Sequence, residues 1–336
     1  MKIAIHHRKG SFSDRWIEYC KENSIDYKIV NAYSSDIIEE LRDCDIFMWH
    51  HDHNNIKDKA TAKRILFAIE HSGKTVFPDF KTGWHFDDKV AQKYLLEAIG
   101  APLVPSYVFY DKKEALDWVD KESLPIVAKL KGGSGSSNVR LIKSTKQAHR
   151  YINNSFNKGI KQFSFQYYAK EKLRHFKESK NIKDLLKIAY RLFSNLTNKK
   201  YFLPERNYVY FQKFIPNNKY DTRVIIIGDR IVAEKRYVRD NDFRASGSNK
   251  FSFDDINLKC LRTALQISKK LNLQSVAFDF IEDNNQNPLI VEMSYGFGVK
   301  GIKNAKGYWD ENLQWNDSNI VPEIWILERI LKNRIC

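Results

Sequence analysis

Residues 275–294 read SVAFDFIEDNNQNPLIVEMS, two apolar, β-rich runs around a polar turn, each interrupted by one carboxylate, Asp279 and Glu292. No other stretch constrains the fold as much. Runs joined by so short a turn pair as neighbouring strands, and an ionised side chain facing a core without a partner costs on the order of several kcal/mol. A cation is one resolution. Mg²⁺ takes oxygen ligands octahedrally and keeps its other positions for water and phosphate, so two carboxylates on rigid strands suit a metal held against nucleotide phosphates. The other resolution is a hairpin whose carboxylates both face solvent.

With 336 residues, 43% of them apolar and 13% aromatic, the chain can bury a substantial core, and its length suggests two or three structural units. No apolar run approaches the roughly 20 residues of a membrane span. The start MKIAIHHRKG breaks into His6, His7, Arg8 and Lys9 before a signal-peptide core forms, so a cytoplasmic location is expected. Cys20, Cys44, Cys260 and Cys336 are scattered, with neither a CxxC pair nor zinc spacing, so disulfides and structural zinc are not expected.

The formal charge is +15, and residues 158–207 hold thirteen Lys or Arg against four Asp or Glu, an excess of nine in one segment. This insert reads as two basic helices, the second with an apolar stripe through Leu185, Leu186, Ile188, Ala189, Leu192 and Phe193. It is suited to an anionic membrane surface or an acidic polymer, or it is a solvated basic face whose stripe packs on its own domain. It has neither an RNP-type aromatic pattern nor a helix-turn-helix signature, which argues against nucleic acid as partner.

The first hundred residues alternate strand and helix: MKIAIHH, a helix capped by Ser13, DYKIVNAY, the helix SDIIEELRDC, DIFMWHH, a helix over 57–71 and a short strand over 75–78. That pattern predicts a small parallel sheet with helices on its faces. No GxGxxG follows the first strand, which disfavours a dinucleotide fold of the hydride-transfer kind. A boundary is expected within 81–88.

Two more segments carry chemistry. In LPIVAKLKGGSGSSNVRLIKS an apolar strand delivers Lys129 into a loop over 132–137 before strand resumes at Val139. Glycines let backbone N–H groups approach phosphate oxygens, and an ammonium neutralises them; an unliganded hairpin turn is the alternative. In YVYFQKFIPNNKYDTRVIIIGDRIVAEKRYVRDNDFRASG one strand ends by Pro216, a second carries Asp221 and Arg223, and Arg244 follows on a loop. The segment QKFI can offer backbone groups to an adenine edge, Asp221 a ribose acceptor, and the arginines charge for a transferring phosphoryl group.

In this order, the helix led by Asp88 and Lys89, Lys129 with its glycine loop, the 212–215 hinge, DTRVIIIGDRIVA, DFRASG and the paired carboxylates resemble the ATP-grasp superfamily, in particular ribosomal-protein glutamate ligases and D-alanyl-D-alanine ligases. The resemblance spans about residues 75–305. It implies an α/β and α+β chain: an N-terminal parallel-sheet α/β domain (1–87), then an ATP-grasp fold whose two α+β subdomains (88–215, with the insert 158–207, and 216–336) clamp ATP. It implies ATP and Mg²⁺ as cofactors, and an ADP-forming ligase that makes a C–N bond through an acylphosphate. By residue, it puts Lys89 and Lys129 on phosphates, with Gly132, Gly133, Ser134 and Gly135 in the covering loop. Gln212, Lys213, Phe214 and Ile215 would meet adenine, Asp221 ribose, and Arg223 and Arg244 the reacting groups. Asp279, Glu292 and Ser294 would hold metal. Ser294 departs from the Asn usual there, and its shorter reach leaves open whether one metal binds or two.

The acceptor is less constrained. His50, His51, Asp52 and His53 end a strand where ligands of open α/β sheets bind, with Trp84 and His85 as candidate neighbours. Tyr308, Trp309 and Trp315 suit sugar stacking or packing against the last helix. Together with the basic insert they suggest a carboxylate on an acidic glycan, joined to an amine or amino acid, with peripheral contact at the inner face of the membrane. The alternatives are amino-acid ligation to a peptide or protein, and a non-catalytic ATP-binding module.

Overall fold

The computed structural model describes residues 1–133, 138–161, 203–240 and 242–335. They form two compact units, the first comprising residues 1–86, 95–103 and 217–336 and the second residues 87–94 and 104–216. The three sequence-derived segments thus fall into two units, with 1–86 and 217–336 sharing one.

In the first unit the chain opens with β1 (Ile3–His6), α1 (Ser13–Glu22), β2 (Tyr27–Val30), α2 (Ile37–Glu40), β3 (Ile46–Met48), α3 (Ile56–His71), β4 (Thr75–Phe77) and α4 (Phe80–Gly83). The strands form the expected parallel sheet, in the order β2-β1-β3-β4. Two local expectations need correction. Ser13 is the first residue of α1 rather than its cap, because its hydroxyl is engaged by His7 Nδ1 (3.1 Å) and by the Arg8 N–H (3.1 Å). The helix expected over SDIIEELRDC is a single turn.

After α5 (Lys89–Ala98), the second unit contributes β5 (Ser106–Phe109), α6 (Lys112–Val119), β6 (Ile126–Lys129), β7 (Val139–Ile142), α7 (Thr145–Phe156) and β8 (Val209–Lys213). Its antiparallel sheet runs β5-β8-β6-β7, and strand does follow the glycine loop. Ala115, Val119, Ala148 and Ile152 of the two helices pack on Ile126, Ala128, Val209 and Phe211. The helices expected in the basic insert lie outside the described residues, apart from its ends.

The chain returns to the first unit with β9 (Tyr220–Ile227), β10 (Arg230–Tyr237), β11 (Phe251–Ser252), α8 (Leu258–Leu271), β12 (Ser275–Glu282), β13 (Pro288–Ser294), β14 (Gly307–Trp309), β15 (Trp315–Asp317) and α9 (Pro322–Ile335). The large sheet has the order β13-β12-β9-β10-β14-β15, with β11 on β10. Asn257 caps α8 by accepting from the Lys259 N–H (3.0 Å), and Asn272 ends it in the left-handed region (φ 51°). Leu261, Ala264 and Leu265 of α8 cover one face of the sheet. On the other side Ile225, Ala277 and Tyr295 share a core with Ile3, Ile5 and Trp16 of the parallel-sheet segment, and that shared core joins 1–86 to 217–336.

Candidate functional site

The strand register of the large sheet puts the decisive side chains on one face. Asp279 pairs with Glu292 across β12 and β13 and with Arg223 across β12 and β9. Arg223 pairs with Glu234, and Asp221 with Arg236, across β9 and β10. Paired residues share a face, and so do residues two apart, so Asp221, Arg223, Glu234, Arg236, Asp279 and Glu292 line one surface.

Arg223 grips Asp279 through two hydrogen bonds, Nε to Oδ1 (2.8 Å) and Nη2 to Oδ2 (3.0 Å), while Arg236 Nη2 reaches Oδ2 at 2.7 Å. Arg236 also binds Asp221 at both oxygens, 2.7 Å each. Burial opposes ionisation of Asp279, but the charges of Arg223 and Arg236 override it and hold the carboxyl well below its usual range. Both Asp221 oxygens accept from Arg236, so the expected ribose acceptor is held by a guanidinium in this structure. Arg236 and Glu234 were missed in the sequence, although the alternation in EKRY puts both on the face of Asp221 and Arg223.

Oε2 of Glu234, 2% exposed, is buried without a hydrogen-bond partner among the described residues. Like charges directly opposite on paired strands repel, and Asp279 faces Glu292 in that way. A divalent cation between them would offset that repulsion. Among the described residues no three His, Cys, Asp or Glu side chains converge as a ready metal cage, and Mg²⁺, which keeps waters and phosphates in its shell, needs only one or two carboxylates. Ser294 is on the Glu292 strand, and its hydroxyl accepts from the Gly296 N–H (3.2 Å). Arg244 is off the sheet, its Nε 2.9 Å from both oxygens of Asp242.

The second unit collects the other expected residues. Lys129 at the end of β6 is 4% exposed, and its ammonium donates to Gln212 Oε1 (2.6 Å), whose amide nitrogen donates to Ser106 Oγ (3.0 Å). Gln212 pairs with Ser106 on one side and Val127 on the other. The hinge is corrected accordingly: Gln212 and Lys213 are ladder residues, and the chain leaves the sheet only at Phe214 and Ile215. Lys89 Nζ donates to Gly133 O (2.9 Å).

The glycine loop begins with N–H groups aimed at carboxylates. Lys131 N donates to Glu205 Oε2 (3.1 Å) and Gly133 N to Asp87 Oδ1 (2.6 Å). Gly133 sits at φ +104°, and a Cβ there would lie 2.2 Å from Asn138 Nδ2, so glycine is required. Ser134 and Gly135 lie outside the described residues.

Around the histidines, His51 and His85 are buried, and the His50 ring stacks on Phe12 at 3.6 Å. Tyr308 packs against Trp325, and Trp309 against Trp315, so of the three aromatics only Trp315 is largely exposed.

A RimK-like ATP-grasp domain model matches residues 196–313, which include the whole cluster on the large sheet. The chain is similar there to RimK-like ATP-grasp domains. Its relatives include an α-aminoadipate–LysW ligase, LysX, of Saccharolobus solfataricus, 21% identical over 288 residues that cover 83% of this chain and 86% of that protein. A RimK domain ATP-grasp protein from Sphaerobacter thermophilus superposes with a TM-score of 0.61 at 14% identity, over 98% of this chain and all of the other. The biotin carboxylase domain of the Hydrogenobacter thermophilus 2-oxoglutarate carboxylase, solved with MgADP, gives 0.60 at 14% identity, over 98% of this chain and 69% of that one. The ATP-grasp fold is thereby established for both units. No helix among the described residues is long and apolar enough to cross a membrane.

Proposed function

We propose that this chain is an ATP-grasp carboxylate–amine ligase, with ATP and Mg²⁺ as cofactors, that activates a substrate carboxylate as an acylphosphate, releases ADP, and passes the acyl group to an amine. The observation that carries this reading is Asp279 and Glu292 facing each other across two strands beside Arg223. In the proposed roles Lys89 and Lys129 meet the phosphates under the loop that starts at Gly132, and Phe214 and Ile215 meet adenine. Asp279 and Glu292, with Ser294 beside them, are the metal ligands. Bound there, Mg²⁺ would neutralise and align phosphate oxygens.

The chain's own part is charge and position. A carboxylate oxygen attacks the γ-phosphorus as the bond to the ADP oxygen breaks, and Arg223 and Arg244 offset the charge on the transferring group. The amine nitrogen then attacks the acyl carbon, inorganic phosphate leaves with the former carboxylate oxygen, and the nitrogen loses a proton. Arg223 is held by Asp279 in this structure, which keeps its guanidinium beside the carboxylate that would hold the metal.

The relative named for α-aminoadipate and LysW favours an amino acid as one reactant and a peptide or protein as the other, over a glycan carboxylate. The basic segment 158–207 suits an acidic partner, whether a macromolecule or an anionic membrane surface. Phosphorus NMR with MgATP and pools of amino acids, peptides and uronic-acid glycans tests the reading. ADP and phosphate should appear only when an acceptor pool is present, and AMP with pyrophosphate would replace it with adenylation.

A further inference from the structure

The sheet order β2-β1-β3-β4 reverses direction between β1 and β3: from β1 the chain steps to β2 on one side, then crosses back to β3 and β4 on the other. In open parallel sheets, ligands bind outside the carboxyl ends of the strands at such a switch point. Here the loop after β1 brings Arg8, and the loop after β3 brings His50 to His53.

What meets there is incomplete. Arg8 Nη1 lies 3.6 Å from Asp52 Oδ2, beyond the roughly 2.7–2.9 Å of a charge-assisted hydrogen bond. Among the described residues the Arg8 guanidinium donates no hydrogen bond to protein, and its Nε is buried without a partner. Asp52 Oδ1 accepts from the Asn54 N–H (2.8 Å) and side-chain amide (3.2 Å), which among the described residues leaves Oδ2 with the long Arg8 contact alone. Both side chains are reachable from solvent, at 36% and 28% exposure.

The surroundings are fixed. His50 Nδ1 accepts from the Phe12 N–H (3.2 Å), which puts the ring proton on Nε2. Asp58 accepts from the Asp52 N–H (2.5 Å) and from the Tyr33 hydroxyl. His51, 4% exposed, keeps Nε2 buried without a hydrogen-bond partner among the described residues, and its carbonyl accepts from the Tyr295 hydroxyl (3.2 Å). Tyr295 directly follows Ser294, so the loop after β3 is bonded to the end of the proposed metal-binding strand.

The geometry points to a binding site at the β1/β3 switch point for the head group of an α-amino acid, with its carboxylate on Arg8 and its ammonium on Asp52. An underused guanidinium beside an open carboxylate oxygen matches a ligand with both charges on one carbon. A lone carboxylate would leave Asp52 opposed, and a lone amine would leave Arg8 unused. That this amino acid is a reactant rests on the ligase reading above; that it binds does not.

Saturation-transfer NMR on the full chain, with L-glutamate, L-lysine and L-alanine as probes, tests the site, and the N-acetyl and amide derivatives of each serve as masked heads. At least one free amino acid should bind and both of its masked forms should not. Arg8→Gln and the isosteric Asp52→Asn should each weaken binding at least tenfold, with Arg8→Lys recovering part of it, while the affinity for MgATP stays unchanged. Binding that is indifferent to these changes, or no binding by any free amino acid, overturns the site. Amino-acid binding that depends on Arg8, in a protein that does not bind MgATP, upholds the site and faults the ligase reading instead.

Discussion

Arg236 holds two carboxylates, Asp221 and Asp279, with its side chain 6% exposed. Removing one partner from a buried charge cluster leaves the others uncompensated, at about 3–5 kcal/mol. Arg236→Met should therefore lower stability by about that amount in urea unfolding, and an unchanged midpoint would show that the cluster is not held this way. The same residues show what the sequence made legible. Asp279 and Glu292 stood out because a charge in an apolar run is conspicuous, whereas Arg236 and Glu234 in EKRY look like an ordinary exposed strand until the register with β9 is known. The partner of Asp221 is hidden for the same reason: it lies fifteen residues away, and the sequence does not display pairings.

At the scale of elements, strands and loops were read better than helix ends. The four parallel strands and the hairpin of β12 and β13 follow from apolar runs and turn residues. Serine before a helix usually caps it, but the Ser13 hydroxyl is taken up by His7 and by the Arg8 N–H in the turn just ahead of α1, a loop conformation that the residue pattern does not display. The glycine loop has its own test. With φ at +104° and Asn138 against the missing Cβ, Gly133→Ala should distort the loop where phosphates are proposed to bind. Left-handed strain of about 1–2 kcal/mol corresponds to roughly a tenfold loss of MgATP affinity by calorimetry. An unchanged affinity would remove the loop from the nucleotide site.

At the scale of the molecule, the core shared by residues 1–86 and 217–336 is invisible in the sequence, because packing between distant segments leaves no local pattern. The basic segment is a separable feature. Ile160 and Glu205 exchange backbone hydrogen bonds of 2.8 and 3.0 Å, so its ends are fastened together at the base. Replacing residues 162–202 by a short Gly/Ser linker should leave the thermal midpoint within a few degrees of the full chain, since closure between adjacent ends costs little. The same variant should lose salt-sensitive binding to acidic polymers and anionic vesicles. A collapse in stability would make the segment part of the core instead.

The central claim is that a carboxylate oxygen attacks the γ-phosphate and leaves with it. It is tested by supplying the carboxylate substrate labelled with ¹⁸O and reading the inorganic phosphate by mass spectrometry after turnover with MgATP. The account predicts one ¹⁸O atom in each phosphate released. Unlabelled phosphate, or label in AMP, would contradict it.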